Sequence, residues 1–239
     1  MRSSRSAPDP LNPGRSGFAH RGLHGPGVPE NSLAAAGAAV AASAGIECDV
    51  RLSADGVPMV VHDADLARLC GVEGATAELT AAELERLNLL GTAEAVPSLA
   101  RWLAVVPAET PMLIELKATD QRGTAALCSG VQALLGTERP RTAVMSFAPA
   151  VSGWFAVQAP DRRRGLVVDG RWPAALRAAT VATAGPQFVA VDKALLNDPW
   201  TVAMRERMPV YSWTIRSRGE LKQVAKCADA PIWEGDGRP

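Results

Sequence analysis

The feature that most constrains this chain is an alternation of short β-rich runs with helical patterns, sustained over almost its whole length. Strands are expected at 17–20, 45–51, 57–62, 112–117, 142–147, 165–169, 188–192, 210–215 and 231–234. Helices are expected between most of them, at about 32–44, 99–106, 124–135, 150–159, 174–180, 199–208 and 218–227. Parallel strands cannot be joined by tight turns, so this order implies a parallel sheet with crossover helices. Roughly eight strands in 239 residues favour a closed TIM (β/α)8-type barrel over an open doubly wound sheet. The run at 57–62 does not fit the repeat. It follows 45–51 through a tight Ser53-Ala54-Asp55-Gly56 turn and reads as an added hairpin partner near the barrel mouth. Helix starts are marked by Ser217-x-x-Glu220 and Thr80-x-x-Glu83, both capping-box patterns, and by Asp198 before the helix-opening Pro199. No internal repeat or Pro/Ser-rich linker interrupts the pattern, so residues 17–239 are expected to form one barrel domain behind a mobile arm over 1–16.

Composition enters as a filter. Apolar residues are 47% of the chain, enough for a large core, and Lys+Arg and Asp+Glu are 25 each. That balance argues against a broadly basic binder of nucleic acid or of a membrane surface, although it permits a local cluster of charge. The first residues carry no apolar export run, and the alanine-rich stretch 32–44 is too short to span a bilayer, so no stable membrane insertion is expected. Cys48, Cys70, Cys128 and Cys227 show no CxxC and no zinc spacing. Reduced thiols in a cytoplasmic protein are the expectation.

Chemistry gathers at the C-terminal ends of the early strands, where α/β barrels build their sites. The first expected strand ends in His20-Arg21. Alternation along the second puts Glu47 and Asp49 on one face, and Ile46, Cys48 and Val50 on the other. Glu115 and Lys117 share a face further on, and Val60-Val61-His62-Asp63 closes an apolar run with a histidine. Glu47, Asp49 and Glu115 are hard oxygen donors suited to a divalent cation, Mg²⁺ or Ca²⁺, rather than zinc. Arg21 and Lys117 offer fixed positive charge for a phosphate, and His20 and His62 titrate near neutral pH. Taken singly, each has an ordinary structural role open to it, such as a surface ion pair for Lys117 with Glu115. Together they suit phosphodiester cleavage, in which charge on the phosphate oxygens must be stabilised and two protons moved.

The ordered set His20-Arg21-Gly22, Pro29-Glu30-Asn31-Ser32, Glu47-x-Asp49-Val50, and Asp55-Gly56-x-Pro58 to His62-Asp63 resembles the glycerophosphodiester phosphodiesterase family. Glu115-Leu116-Lys117 and Trp213-Thr214-Ile215 are similar to its later signatures. The resemblance implies a TIM barrel and metal-dependent hydrolysis of small soluble glycerophosphodiesters to glycerol 3-phosphate and an alcohol such as choline or ethanolamine. It also implies His20 and His62 as the acid/base pair and Glu47, Asp49 and Glu115 as metal ligands. Arg21 and Lys117 become the phosphate contacts, and Trp213 an aromatic wall beside the substrate. Glu30 matches a position near the metal; otherwise it merely precedes Asn31, which can cap the helix from Ser32. A phospholipase-type barrel and a non-catalytic phosphoester-binding barrel are the alternatives. Two local features depart from the pattern. The segment 63–90 is short for a family insertion and reads as a partial lid with one helix around 81–88. The last strand reads Ile232-Trp233-Glu234 where relatives often carry Ile-Thr-Asp, with no eighth outer helix following. This leaves open how the barrel floor is sealed and whether Trp233 or Glu234 enters the site.

Overall fold

A computed structural model describes residues 11–239. Nine strands form one sheet: β1 (Phe18–Ala19), β2 (Gly45–Leu52), β3 (Pro58–Val60), β4 (Met112–Leu116), β5 (Thr142–Ser146), β6 (Arg164–Val168), β7 (Phe188–Asp192), β8 (Val210–Ile215) and β9 (Ala230–Trp233). All but β3 run parallel in the order β1-β2-β4-β5-β6-β7-β8-β9, and β9 pairs back with β1, closing an eight-stranded barrel. The irregular run is the hairpin partner its turn suggests. β3 lies antiparallel on β2, with Val50 opposite Val60.

The helices that return the chain to the sheet are α1 (Leu33–Ala41), α4 (Leu99–Val105), α5 (Gln121–Leu135), α6 (Pro149–Gln158), α7 (Ala174–Ala184), α8 (Pro199–Arg207) and α9 (Arg218–Cys227). Two short helices, α2 (Ala67–Cys70) and α3 (Ala81–Leu84), belong to the insertion between β3 and α4. The predicted caps form. Ser217 accepts from the Glu220 amide, Asp198 from the Trp200 amide ahead of α8, and Thr80 with Glu83 closes a capping box on α3. At α1 the cap is Ser32, whose hydroxyl accepts from the Ala35 amide, and not Asn31. Asn31 adopts a left-handed φ of 56°, and its side chain turns to the site instead.

Alternation along the strands sorts the core into two layers. Outward residues such as Ile46, Cys48, Val50, Ile114, Val144, Leu166 and Val189 pack under the helices with Ala36, Trp102, Leu127 and Phe155. Phe18, Leu113, Met145, Val167, Phe188, Tyr211 and Ile232 form a second cluster inside the barrel. Tyr211 stands between Phe18 and Phe188, at ring-centroid distances of 5.2 and 5.3 Å. Gly165 is required by this layer, because a Cβ there would lie 2.3 Å from the Phe188 ring.

The floor is sealed by residues expected to belong to the mobile arm. That arm lies outside the described residues over 1–10, but from residue 11 the chain is packed. Leu11 is fully buried and joins the interior cluster. Arg141 donates to the Asn12 carbonyl at 2.8 Å, and Trp233 Nε1 to the Ser16 carbonyl at 2.7 Å. Apolar burial plus two anchoring hydrogen bonds offsets the ordering entropy of this stretch. The insertion has its own small core of Met59, Val61, Leu66, Leu69, Leu84, Leu89 and Val96. Its expected single helix is shorter than 81–88 and is joined by α2, which has no periodic signal of its own because it is only one turn long. Among the described residues, no helix is long and apolar enough to cross a membrane.

Candidate active site

The expected residues meet at the C-terminal mouth of the barrel. His20, Arg21, Glu47, Asp49, His62, Glu115, Lys117 and Trp213 all line one cavity of about 260 Å³. Register explains the acidic cluster. Asp49 of β2 sits opposite Glu115 of β4, and Glu47 lies two residues earlier on the same face of β2. One oxygen from each of the three carboxylates lies within 4.8 Å of the others, and all three side chains are buried.

Buried like charges must be balanced, and the local shifts show how unequally this is done. Burial, Asp49 and Glu115 together push the Glu47 carboxyl well above its ordinary range. Burial also raises Glu115, to about 7, against the pull of Lys117. Burial would raise Asp49 too, but Lys117 and Arg21 outweigh it and hold that carboxyl low. Lys117 Nζ stands 2.9 Å from Asp49 Oδ1 and also bonds Glu115. Without a further cation the crowding of three carboxylates is relieved by protons retained on Glu47 and Glu115, and their hard oxygen donors fit a divalent cation that would take the place of those protons. Asn31 fixes the central carboxylate, donating from Nδ2 to Asp49 Oδ2 at 3.0 Å.

Arg21 links this cluster to the front of the site. Its residue adopts a left-handed φ of 56°, which aims the backbone amide at Glu47 Oε2, 3.0 Å away. Its Nε lies 3.2 Å from Asp49 Oδ2, at ion-pair distance but without hydrogen-bond alignment. Glu30, considered as a fourth ligand, stands elsewhere. It accepts from Arg21 Nη1 at 2.7 Å and from both Arg68 Nη atoms at 3.0 and 2.8 Å, so it is engaged with arginines rather than with the three carboxylates.

Each histidine is held from behind by a carboxylate. His20 Nδ1 lies 2.7 Å from Glu234 Oε2, and His62 Nδ1 lies 2.6 Å from Asp63 Oδ1. A carboxylate accepts only, so both rings carry their proton on Nδ1 and leave Nε2 free. Burial lowers the pKa of both; Glu234 partly restores His20. The backbone of His62 is tied to β2 by Arg51 Nε, which donates to its carbonyl at 2.8 Å. Trp213 packs edge-on against Phe147, with centroids 5.6 Å apart, and its Nε1 donates to the Ala190 carbonyl at 3.0 Å. The indole therefore presents a fixed apolar wall to the cavity.

Three contributors were not singled out from sequence. Asn31 was read as a cap, and Phe147 as plain strand. Arg68 on α2 donates from Nε to Asp63 Oδ2 at 2.5 Å while also gripping Glu30. It thereby connects the carboxylate behind His62 to the one that holds Arg21. Nothing in a linear sequence distinguishes this arginine from any other surface arginine. Glu234, left open from sequence, does enter the site, whereas Trp233 turns outward into the layer under the helices.

The family model described as the glycerophosphoryl diester phosphodiesterase family matches residues 20–232. Bovine (Bos taurus) glycerophosphodiester phosphodiesterase 1 is 40% identical over 75 residues, which are 30% of this chain and 22% of that protein. Matched stretches make up between 22% and 39% of the curated relatives' own lengths. A Silicibacter pomeroyi structure assigned to the glycerophosphoryl diester phosphodiesterases is 27% identical, with a TM-score of 0.80 over 95% of this chain and 93% of that one. An Oleispira antarctica phosphodiesterase, solved with the product sn-glycerol-3-phosphate, reaches the same TM-score over 90% of this chain and 91% of its own, at 22% identity.

Proposed function

Because the chain belongs to the glycerophosphoryl diester phosphodiesterase family, we propose that it is a metal-dependent hydrolase cleaving soluble glycerophosphodiesters to glycerol 3-phosphate and an alcohol. The observation that carries this reading is the convergence of two carboxylate-backed histidines, three buried carboxylates and two cations on one small cavity. The product seen in the Oleispira antarctica phosphodiesterase, which shares this fold, supports the choice of substrate.

Glu47, Asp49 and Glu115 hold a divalent cation, Mg²⁺ or Ca²⁺. When bound, it supplies Lewis-acid stabilisation of negative charge on the phosphoryl oxygens. Arg21 and Lys117 contact the same phosphate. Their own ion pairs with Asp49 keep them oriented, so little reorganisation is needed as charge develops. Burial keeps His20 and His62 neutral at pH 7, each with Nε2 unprotonated. One accepts the proton of the attacking hydroxyl. The other takes up a proton from solvent and donates it from Nε2 to the departing alkoxide, while the first releases the proton it accepted to solvent, so that both end neutral as they began. Trp213 and Phe147 exclude water from one side and pack against the carbon skeleton of the substrate. The cavity of about 260 Å³ suits one small diester better than a lipid with two acyl chains.

The test is release of glycerol 3-phosphate from glycerophosphocholine, glycerophosphoethanolamine and related diesters, with Mg²⁺, Ca²⁺ or Mn²⁺ and after chelation. Metal-dependent release on at least one diester is expected. Absence of release across the whole panel with every metal would overturn the assignment.

A further inference from the structure

Beside the carboxylate triad lies a second convergence of ligand atoms with different chemistry. His20, His24 and Glu234 each offer one donor atom within 4.8 Å of the others. Glu234 Oε2 is the shared point, 2.7 Å from His20 Nδ1 and 3.7 Å from His24 Nε2. His24 follows the tight Arg21-Gly22 turn. Its Nε2 is buried and makes no hydrogen bond, which is costly for a polar atom unless something is meant to occupy the gap. The other Glu234 oxygen, Oε1, is held by Arg216 Nε at 2.5 Å, so the carboxylate is oriented with Oε2 facing the two rings. Arg216 is more than half exposed, and water screens its charge.

We propose that His20, His24 and Glu234 form an inhibitory zinc site, separate from the hard-cation site at Glu47, Asp49 and Glu115. Two imidazoles and one carboxylate are a borderline-soft set that prefers Zn²⁺ to Mg²⁺ or Ca²⁺, and three protein ligands with one open position is a common zinc arrangement. Ligand atoms of a tetrahedral zinc at ordinary bond lengths of about 2.0–2.1 Å stand roughly 3.3 Å apart. The observed 2.7 and 3.7 Å bracket that separation. The outer contacts also fit. A metal on Nδ1 of His20 leaves the ring proton on Nε2, 3.9 Å from Glu47 Oε2, where the nearby carboxyl favours the N–H without a hydrogen bond to it. Binding therefore replaces the Nδ1-protonated tautomer by the Nε2-protonated one. The nitrogen that exchanges protons with substrate is then no longer free, and turnover stops. The inhibitory consequence rests on the proposed phosphodiesterase reading; zinc binding does not.

The two are separated by measuring them independently. Zinc chloride is titrated against the full-length protein in saturating Mg²⁺, in competition with a chromophoric chelator. Cobalt(II) added in place of zinc reports the nitrogen-containing site through its visible absorption. One zinc per chain is expected, weakened about tenfold or more by His24→Gln and changed less than about twofold by Glu115→Gln. In the turnover assay His24→Gln should keep the basal rate while needing at least about tenfold more zinc for half inhibition. Wild-type zinc affinity in His24→Gln, or loss of zinc binding in Glu115→Gln, would overturn the site. Zinc binding with the expected variant pattern in a protein that cleaves no diester would uphold the site and remove only its inhibitory role.

Discussion

Glu234 Oε2 lies 2.7 Å from Nδ1 of His20, although 214 positions separate the two residues. Closure of the barrel makes them neighbours: β9 pairs with β1 at Phe18↔Ile232 and Ala19↔Trp233, so the next residue on each strand arrives at the same rim. The contact sets the tautomer of His20. Its charge also opposes the lowering of the His20 pKa by burial. Replacing Glu234 by Gln removes the stronger of the two groups that oppose burial, leaving only the charge of Asp49 against it. The imidazole titration of His20, followed by NMR, should move to lower pH. Turnover should fall about 10–100-fold with little change in KM, since roughly 10²–10⁴ is the worth of a positioned acid/base. An upward or absent shift would contradict the pairing.

Both histidines carry the proton chemistry in the proposed reaction, and each has Nε2 free toward the cavity. His20→Ala and His62→Ala should each reduce kcat by about 10²-fold or more while KM stays within a few-fold. Steady-state kinetics of glycerol 3-phosphate release read this directly. Near-wild-type kcat in either variant removes that histidine from the mechanism.

Arg68 spans Asp63 and Glu30 from the insertion, and so supports both His62 and Arg21. Arg68→Ala should lower kcat about tenfold through misplacement of those two groups. Its pH signature has a definite sign. Burial alone would raise Asp63 and Glu30, but hydrogen bonds from Arg68 outweigh it and leave both lowered. Depressed carboxylates contribute stability above their unfolded pKa of about 4, and that contribution is lost as pH falls toward the folded value. The Tm gap between wild type and Arg68→Ala should therefore be largest near neutral pH and shrink below about pH 4. Because Arg68 is about half exposed, at 48% for its side chain, the gap should be modest, each pair being worth no more than about 1 kcal/mol.

The divalent cation proposed for Glu47, Asp49 and Glu115 would relieve the mutual repulsion of three buried carboxylates, so its binding is expected to stabilise the fold. Calcium or magnesium should raise the Tm of the wild-type protein, and Glu115→Gln and Asp49→Asn should reduce that rise. Thermal melts with and without chelator measure it. An equal rise in Glu115→Gln and wild type would place the metal elsewhere.

Leu11 closes the barrel floor far from the mouth. Leu11→Ala should cost about 2–5 kcal/mol of stability, the range for buried leucines, and leave kcat and KM unchanged. Urea unfolding beside the activity assay separates the two effects. A cost below about 0.5 kcal/mol, ordinary for surface positions, would show that the residue does not plug the floor.

Much of the architecture can be read along the chain. Alternating strand and helix periodicity points to a parallel barrel, because strands apolar on both faces must bury one face under crossover helices and the other inside the closed sheet. The capping signals at Thr80, Asp198 and Ser217 determine where helices start, since an orphan amide is satisfied by a side chain two or three residues away. Period-two alternation likewise puts Glu47 and Asp49 on one face. These are local rules, and sequence contains them in full. Relations between distant segments are not local, and only closure of the sheet decided them. It brought Glu234 behind His20, Arg68 between Asp63 and Glu30, and Asn31 onto Asp49 in place of a helix cap. It also turned Leu11 from an expected loose arm into the barrel floor. Leu11 apart, each of those side chains is polar and at home on a surface, and its energy depends on a partner brought to it by the tertiary fold. Glu30 shows the same limit. The resemblance puts it near the metal, but Arg21 and Arg68 hold its carboxylate and the cluster of Glu47, Asp49 and Glu115 forms without it.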